Sequence, residues 1–283
     1  MMREKVPLVP RQNLEWKIIT QCNYNCWYCL DRGDRVTPPP DKNDISRYSN
    51  AILSNLKEPW IIQITGGEPF INPEFIIGLT RNLVSAGHWI KIFSNLSADL
   101  SVYREFINIT GPQLYKLKAS FHPSETNFDE FLKKSLAINE LISNRSKYKI
   151  FCVITPGIGN INRLKEYTDT FKQYGLNHDV IHMIDPTTKE FYDYSKEEKA
   201  LIQTYFGDCS NELSMISHGH DCRSGYSYFA ITQDFDAWSC WDAKFNNDRA
   251  NYYGNLLKNF KFPYRRQMCP YKLCNYPNGI EEK

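Results

Sequence analysis

A chain of 283 residues is long enough for one large domain, or one large and one small, around a buried core. The hydrophobic fraction of 42% is typical of globular proteins, and a formal net charge of +2 gives no electrostatic reason to expect nucleic acid or an acidic membrane as a partner. The basic start lacks the apolar core of a signal peptide, and no apolar run reaches the roughly 18 residues of a membrane span. We therefore expect a cytoplasmic protein.

Six short apolar runs predict strands, at residues 14–20, 60–65, 89–94, 114–121, 148–155 and 179–185. They are rich in β-branched and aromatic residues and nearly continuous in apolarity, which is typical of parallel strands buried on both faces. Helical patterns lie between them, at residues 43–57, 73–87, 99–109, 128–142 and 162–175.

This alternation predicts an α/β fold built from right-handed βαβ units. Six units are too few for a closed eight-stranded barrel, so we predict an open, partial (β/α)6 TIM-like barrel over residues 1–185. After that the alternation stops. Residues 195–206 predict a helix and residues 227–241 an aromatic hairpin, so we predict that residues 186–283 form a small, cysteine-rich appendage.

Nine cysteines are many for a cytoplasmic chain, and their clustering favours metal binding over a disulfide framework. Cys22, Cys26 and Cys29 directly follow the first predicted strand, on the edge of a parallel sheet where functional loops lie. Thiolates at this density suit zinc or an iron–sulfur cluster. A [4Fe–4S] cube bound by three cysteines keeps one iron open for a substrate or cosubstrate.

The spacing Cx3CxxC after the first strand resembles the signature of the radical SAM superfamily. The resemblance implies that S-adenosylmethionine (SAM) chelates the open iron and that one electron from the cluster cleaves it to a 5′-deoxyadenosyl radical. In that family an aromatic residue precedes the third cysteine and packs near the adenine, and Tyr28 matches this position.

The stretch "ITGGEPF" after the second strand resembles the GGEP motif of the same family, at Gly66, Gly67, Glu68 and Pro69. Glycines let the backbone approach closely, and exposed carbonyls can accept hydrogen bonds from the ammonium of SAM. The resemblance places further SAM contacts after the third, fourth and fifth strands, at Ser94, Asn95, Ser120 and Thr155.

Other interpretations of these residues remain open. A zinc site would combine the three cysteines with His122 or His182. Two glycines in a turn often serve the backbone alone, and small polar residues after strands often cap the next helix. The occurrence of both motifs after consecutive strands favours the radical SAM interpretation.

The C-terminal region resembles the SPASM/twitch appendages of radical SAM enzymes. The shared features are a Cys-x-x-Gly opening at Cys222 and Gly225, a hairpin that ends at Cys240, and the sequence GNL at Gly254–Leu256. The resemblance implies a second, auxiliary [4Fe–4S] cluster, with structural zinc as the alternative. Its expected ligands are Cys222, Cys240, Cys269 and Cys274.

Two features depart from that pattern. Phe235 stands in the hairpin turn where the family often has glycine, and the closing cysteine pair is spaced Cx4C rather than CxxC. Cys209 is therefore an alternative ligand, or the cluster keeps an exchangeable site. Cys152 lies in the middle of an apolar run, so we expect it to be a small core residue.

The resemblance implies an oxidoreductase similar to the twitch-domain dehydrogenases. Its radical would abstract hydrogen from an unactivated carbon of a small polar substrate, sugar-like or aminocyclitol-like. The auxiliary cluster would accept the second electron, and a flavodoxin-type or ferredoxin-type protein would donate the first. A base must take the hydroxyl proton, and the candidates are His122, His182, Asp185 and Arg223, each with a structural role as the alternative.

Two other functions remain. A peptide maturase would form a thioether or carbon–carbon crosslink or oxidise a side chain, although the short stretch before the first strand leads us to expect no N-terminal peptide-recognition domain. An iron–sulfur electron carrier or sensor is the non-catalytic alternative, but it would need no SAM site.

Overall fold

The structure is a computed structural model, which describes residues 9–30, 37–143, 150–155, 161–181, 183–188, 192–206 and 218–271. Within these ranges, every helix is too short or too polar to cross a membrane.

The first part of the chain alternates strands and helices, as predicted. The strands are β1 (Asn13–Ile19), β2 (Ile61–Gly66), β3 (Trp89–Ser94), β4 (Leu114–Phe121), β5 (Ile150–Ile154) and β6 (Asn177–Val180). The helices are α1 (Ile45–Leu53), α2 (Pro73–Ser85), α3 (Leu100–Thr110), α4 (Phe128–Ser143), α5 (Leu164–Gln173) and α6 (Lys196–Phe206). Consecutive strands β1 to β6 pair in parallel, which confirms the mostly parallel α/β sheet.

The sixth strand ends at Val180, earlier than predicted. Beyond it the backbone of Met183 bonds a later segment instead of β5: its N–H donates to the hydroxyl of Tyr194 at 3.1 Å, and its carbonyl accepts from the N–H of Tyr192 at 2.9 Å. Asp185 follows in a turn, where its carboxylate accepts hydrogen bonds from the backbone N–H groups two and three residues on, at 2.7 and 3.0 Å.

After α6, the described residues of the C-terminal part form five more strands and one more α-helix. They are β7 (Asp221–Cys222), β8 (Tyr228–Ile231), β9 (Asp236–Trp238), α7 (Trp241–Phe245), β10 (Tyr252–Asn255) and β11 (Gln267–Met268). The antiparallel pairing of β8 with β9 confirms the predicted hairpin. Strand β8 also pairs in parallel with β1, so the sheet has the order β10-β9-β8-β1-β2-β3-β4-β5-β6. The barrel curvature and the domain boundary at residue 185 stay predictions.

The two faces of the sheet differ in character. One face packs on the helices: Trp16 of β1 stacks on Tyr48 of α1 with ring centroids 5.5 Å apart. Cys152 lies on this face too, fully buried, which confirms it as a core residue. The opposite face, which we call the lysine face, carries the register neighbours Glu15, Gln63, Lys91 and Lys116 on β1 to β4.

The turn between β8 and β9 contains an aromatic residue in a left-handed conformation. Phe235 has φ 68°, and its N–H donates to the carbonyl of Thr232 at 3.0 Å. Its ring is only 1% exposed and packs against Tyr48 and Trp16, with centroids 4.6 and 6.0 Å apart. Burial of the ring offsets a backbone conformation that normally favours glycine.

Candidate functional site

The three N-terminal cysteines lie on the loop that follows β1. The N–H of Cys29 donates to the carbonyl of Cys26 at 3.2 Å, and the N–H of Tyr24 donates to the sulfur of Cys22 at 3.4 Å. Cys26 is 5% exposed, and burial raises the pKa of its thiol to about 11. A thiolate at this position therefore needs a positive partner, which iron or another metal supplies.

The two glycines of the GGEP stretch let the end of β2 touch the backbone that leads into this loop. Gly66 has φ 126°, and the N–H of Gly67 donates to the carbonyl of Ile19 at 2.7 Å. A Cβ on Gly67 would lie 1.9 Å from the carbonyl oxygen of Gln21, next to Cys22. Any side chain here would displace the cysteine loop.

Glu68 of the same stretch connects the ends of two strands. Its side chain is 1% exposed, and its carboxylate accepts hydrogen bonds from Phe70 N–H (3.1 Å), Ser94 Oγ (2.9 Å) and Asn95 N–H (2.7 Å). Burial raises the pKa of Glu68 to about 7, although the three hydrogen bonds oppose that shift. Both carboxylate oxygens are used inside the protein, so Glu68 acts as a positioning residue. Pro69 follows it at the start of a short 3₁₀ turn.

Asn95, directly after β3, connects that strand to the cysteine loop. Its side-chain amide donates to Oδ1 of Asn23 at 3.0 Å and approaches the sulfur of Cys22 at 3.8 Å. Ser94, one residue earlier, lies on the helix-facing side, where its hydroxyl meets that of Tyr103 at 2.9 Å. Asn95 therefore lies at the predicted site, while the hydroxyl of Ser94 bonds the protein itself.

Tyr28 and His122 form a pair that the sequence did not reveal. The hydroxyl of Tyr28 and Nδ1 of His122 are 2.9 Å apart, and the two rings stack with centroids 5.9 Å apart. Burial lowers the pKa of His122 to about 4, so the imidazole is neutral near pH 7. The pair joins the cysteine loop to the end of β4. It also occupies one nitrogen of the histidine that the zinc alternative would use.

The remaining predicted residues lie in different places. Ser120 pairs in register with Val153 near the ends of β4 and β5, and Thr155 directly follows β5, so both lie at the same edge as the cysteine loop. Arg223 lies in the turn between β7 and β8. His182 lies outside the described residues. The base roles of His182, Asp185 and Arg223 stay predictions.

Among the predicted auxiliary ligands that the structure describes, Cys222 interacts electrostatically with both Cys240 and Cys269. Cys222 is on β7, which pairs with β11, and Cys269 directly follows β11. Cys240 caps α7, where its sulfur accepts from Ala243 N–H at 3.5 Å. Burial raises the pKa of Cys240 to about 12, with a smaller contribution from Cys222, and Cys269 likewise adds to the effect of burial on Cys222. Cys209 and Cys274 lie outside the described residues.

Among the cysteines that the structure describes, neither group has the geometry of a single-ion site. Within the described ranges, no three residues among His, Cys, Asp and Glu lie close enough to hold one metal ion. A cubane cluster makes a different demand, because each thiolate binds its own iron at a separate corner. Three thiols on one loop suit such a cluster as a donor set, and the Gly67 contact and Asn95 hold the start of that loop at Gln21 and Cys22.

Comparisons of sequence give distant relatives. No family model matches the chain. The chain is 25% identical over 146 residues to a 7-carboxy-7-deazaguanine synthase of Archaeoglobus fulgidus, a match that covers 47% of this chain and 58% of the relative. It is 28% identical over 90 residues to the enzyme of that name from Methanospirillum hungatei, a match that covers 29% of this chain and 36% of that relative. The matches thus span about half of the first relative and about a third of the second.

Comparisons of structure cover most of the chain. SuiB of Streptococcus suis, bound to its precursor peptide SuiA, matches with TM-score 0.60 and 14% identity over 89% of this chain and 65% of SuiB. The protein anSMEcpe, bound to AdoMet and the Cp18Cys peptide, matches with TM-score 0.61 and 14% identity over 87% of this chain and 77% of anSMEcpe. BtrN, bound to AdoMet and 2-DOIA, matches with TM-score 0.50 and 13% identity over 90% and 80%.

This chain shares its fold with SuiB, anSMEcpe and BtrN, each of which has a solved structure with AdoMet bound. The predicted α/β class with a mostly parallel sheet is therefore confirmed, and both comparisons support the prediction of an enzyme. At 13–15% identity the structural matches carry no residue roles, so the account of the site rests on its own geometry.

Proposed function

We propose that this chain is a radical SAM oxidoreductase that abstracts hydrogen from an unactivated C–H bond of a small polar substrate and oxidises it by two electrons. One observation carries the proposal. The cysteine loop is held against the GGEP backbone and Asn95 at the carboxyl edge of a parallel sheet, in a fold shared with AdoMet-bound proteins.

The donor set fits a [4Fe–4S] cluster held by Cys22, Cys26 and Cys29, with SAM beside it. When bound, these cofactors supply a 5′-deoxyadenosyl radical. The backbone around Gly66 and Gly67 would bind the amino acid part of SAM. The contacts for its ribose and adenine would come from Tyr28, Asn95, Ser120 and Thr155.

The side chains around this site orient and enclose it. Glu68 fixes the ends of β2 and β3 relative to each other through its three hydrogen bonds. Asn95 orients Cys22, and the stacked pair Tyr28–His122 shields the loop from water on one side. Exclusion of water matters because a reactive radical must meet only its target carbon.

A second cluster is part of the proposal, as acceptor of the electron from the substrate radical. The electrostatic interaction of Cys222 with both Cys240 and Cys269 supports it, with Cys274 or Cys209 as the fourth ligand. Reconstituted protein would then contain about eight irons and about eight sulfides per chain, and Cys240→Ala would lower both. About four of each in the wild-type chain would remove the auxiliary cluster. A flavodoxin-type or ferredoxin-type protein would donate the first electron.

Peptide modification is the second candidate function. It is favoured by the fact that SuiB and anSMEcpe, both bound to peptides, match with higher TM-scores than BtrN. A product analysis that finds a crosslinked or oxidised peptide would favour this candidate over oxidation of a small molecule.

The proposal is tested by SAM cleavage. Anaerobically reconstituted wild-type protein, supplied with dithionite and SAM, should yield 5′-deoxyadenosine, and Cys26→Ala should abolish the product. Cys152→Ala is the matched control, since this thiol is equally buried but belongs to the core. A wild-type protein that holds its clusters and never cleaves SAM would overturn the proposal.

A further inference from the structure

The lysine face of the sheet carries buried and half-buried cations on strands β3 and β4, whose carboxyl ends lie at the same edge as the cysteine loop. Lys91 of β3 pairs in register with Gln63 of β2 and with Lys116 of β4. One row nearer the carboxyl edge, Phe93 pairs with Lys118, which pairs with Phe151. Three lysines of two neighbouring strands therefore point to the same side of the sheet.

Aromatic rings hold these ammonium groups in place. The Nζ atom of Lys118 lies 5.3 Å from the ring centroid of Phe93 and 5.5 Å from that of Phe151. Lys116 lies 4.6 Å from Phe151, and Lys91 lies 5.7 Å from Phe93. Cation–π contacts within about 6 Å orient an ammonium without neutralising it.

Among the described residues of this face, the lysines Lys17, Lys91, Lys116 and Lys118 outnumber the carboxylates Glu15 and Asp179. Burial lowers the pKa of Lys91 to about 7, and repulsion from Lys118 adds to that effect, while Glu15 opposes it. Burial and repulsion from Lys118 also lower the pKa of Lys116, and Asp179 of β6 opposes that shift. The carboxylate of Glu15 already accepts a hydrogen bond from the hydroxyl of Tyr228 at 3.1 Å. Repulsion between desolvated lysines is relieved by an anion.

A second observation points to a ligand at the same place. Gln63, 2% exposed, lies between Glu15 and Lys91 in the register, and its Oε1 has no hydrogen-bond partner in the part of the chain that the structure describes. A buried side-chain oxygen without a partner costs about 1–3 kcal/mol. A ligand that brings a hydroxyl or N–H group into this region would satisfy it.

We propose that Lys91, Lys116 and Lys118 form the part of the substrate pocket that receives an anionic group, a carboxylate or a phosphate, on a small polar molecule, and that a hydroxyl of the same molecule donates to Oε1 of Gln63. This inference rests on the proposed function and narrows its substrate class. An acidic sugar or a sugar phosphate fits such a pocket, whereas a cationic aminocyclitol is repelled by it.

The position of the lysines agrees with such a role. Lys118 precedes Ser120 by two residues on β4, so it lies about 7 Å deeper along the strand than the predicted SAM contact. A molecule bound by its anionic end at Lys116 and Lys118 would extend toward the edge that carries the cysteine loop.

The test is calorimetric titration of reconstituted full-length protein with inorganic phosphate, D-gluconate and D-glucose. Lys116→Gln and Lys118→Gln are the test variants, because both side chains are only half-buried. The exposed Lys133→Gln on α4 is the matched control. We expect phosphate or gluconate to bind the wild type, glucose to bind at least tenfold more weakly, and each test variant to lose at least about tenfold in affinity.

The outcomes separate the possibilities. If the wild type binds phosphate more tightly than gluconate, the anionic group of the substrate is a phosphate ester. If it binds gluconate more tightly, that group is a carboxylate. The proposed pocket is refuted if the wild type binds neither anion, or if Lys133→Gln loses as much affinity as the test variants. Melting temperatures and iron contents of the test variants near those of the wild type exclude misfolding. Wild-type protein that binds anions yet never cleaves SAM would refute the proposed function and leave the pocket in place.

Discussion

The left-handed conformation of Phe235 leads to a prediction in which two effects oppose each other. Phe235→Ala removes a buried ring that packs on Tyr48 and Trp16, and such a deletion costs about 3–5 kcal/mol of unfolding free energy. Alanine also keeps a Cβ at φ 68°, which costs about 1–2 kcal/mol. Phe235→Gly loses the same ring but relieves that strain.

The sign of the difference between the two variants isolates the strain. Glycine in a regular strand is normally less stable than alanine by about 0.5–1 kcal/mol. At Phe235 we expect the reverse, with the glycine variant more stable by about 1 kcal/mol. Phe229 is the matched control: it is also fully buried, lies within β8 and packs on Trp60 with centroids 5.4 Å apart. There the alanine variant should be the more stable one.

The assay is anaerobic urea denaturation of the wild type and the four variants, followed by tryptophan fluorescence. The unfolding free energies of all variants must fall with urea concentration at the same slope, so that differences in the urea midpoint report differences in stability. An alanine variant of Phe235 that equals or exceeds the glycine variant would show that the backbone there is not strained.

Three further predictions concern the site. Glu68→Ala leaves the buried N–H of Asn95 unpaired, so the unfolding free energy should fall by about 2–5 kcal/mol in a denaturant titration, and an unchanged midpoint would refute the positioning role. Gly67→Ala places a Cβ 1.9 Å from the carbonyl of Gln21, so iron bound after reconstitution should fall by more than half, and full loading would count against the contact. Gluconate should bind more tightly as the pH falls from about 8.5 to about 6, because Lys91, with a pKa of about 7, gains its charge while gluconate keeps its own. Lys91→Met should flatten this profile, since it removes the group that gains charge; the charged groups that act on Lys91 are Lys118, Glu15 and Lys116. Protonation of Glu15 acts in the same direction, and tighter binding at high pH would contradict the assignment.

The alternating strands and helices were predictable because buried parallel strands are marked by short apolar runs. The pairing of β8 with β1 was not, because residues 228–231 and 13–16 are far apart in sequence and nothing local specifies which edge a hairpin joins. The sixth strand was predicted too long because apolar residues continue after Val180, whereas the bonds of Met183 to Tyr192 and Tyr194 depend on how the following segment folds back.

The cysteine and GGEP motifs were predictable, because their spacing and their place after consecutive strands are visible in the sequence. The face of the sheet on which Ser94 lies could also be predicted. Ser94 follows Ile90 and Ile92 at every second position of β3, so it shares their buried, helix-facing side. The Tyr28–His122 pair was not, because it depends on how the loop after β1 folds over the end of β4. Lys91 of β3 and the alternating Lys116 and Lys118 of β4 are visible in the sequence. Only the strand register shows that they lie together on one face.

The central claim is that three cysteines hold a cluster whose remaining iron binds SAM. The most direct measurement is pulsed EPR of the reduced, reconstituted protein with SAM whose amino group is labelled with ¹⁵N. The account predicts a hyperfine coupling between that nitrogen and the cluster, present in Cys152→Ala and absent in Cys26→Ala. A reduced cluster in the wild type whose spectrum shows no such coupling would contradict it.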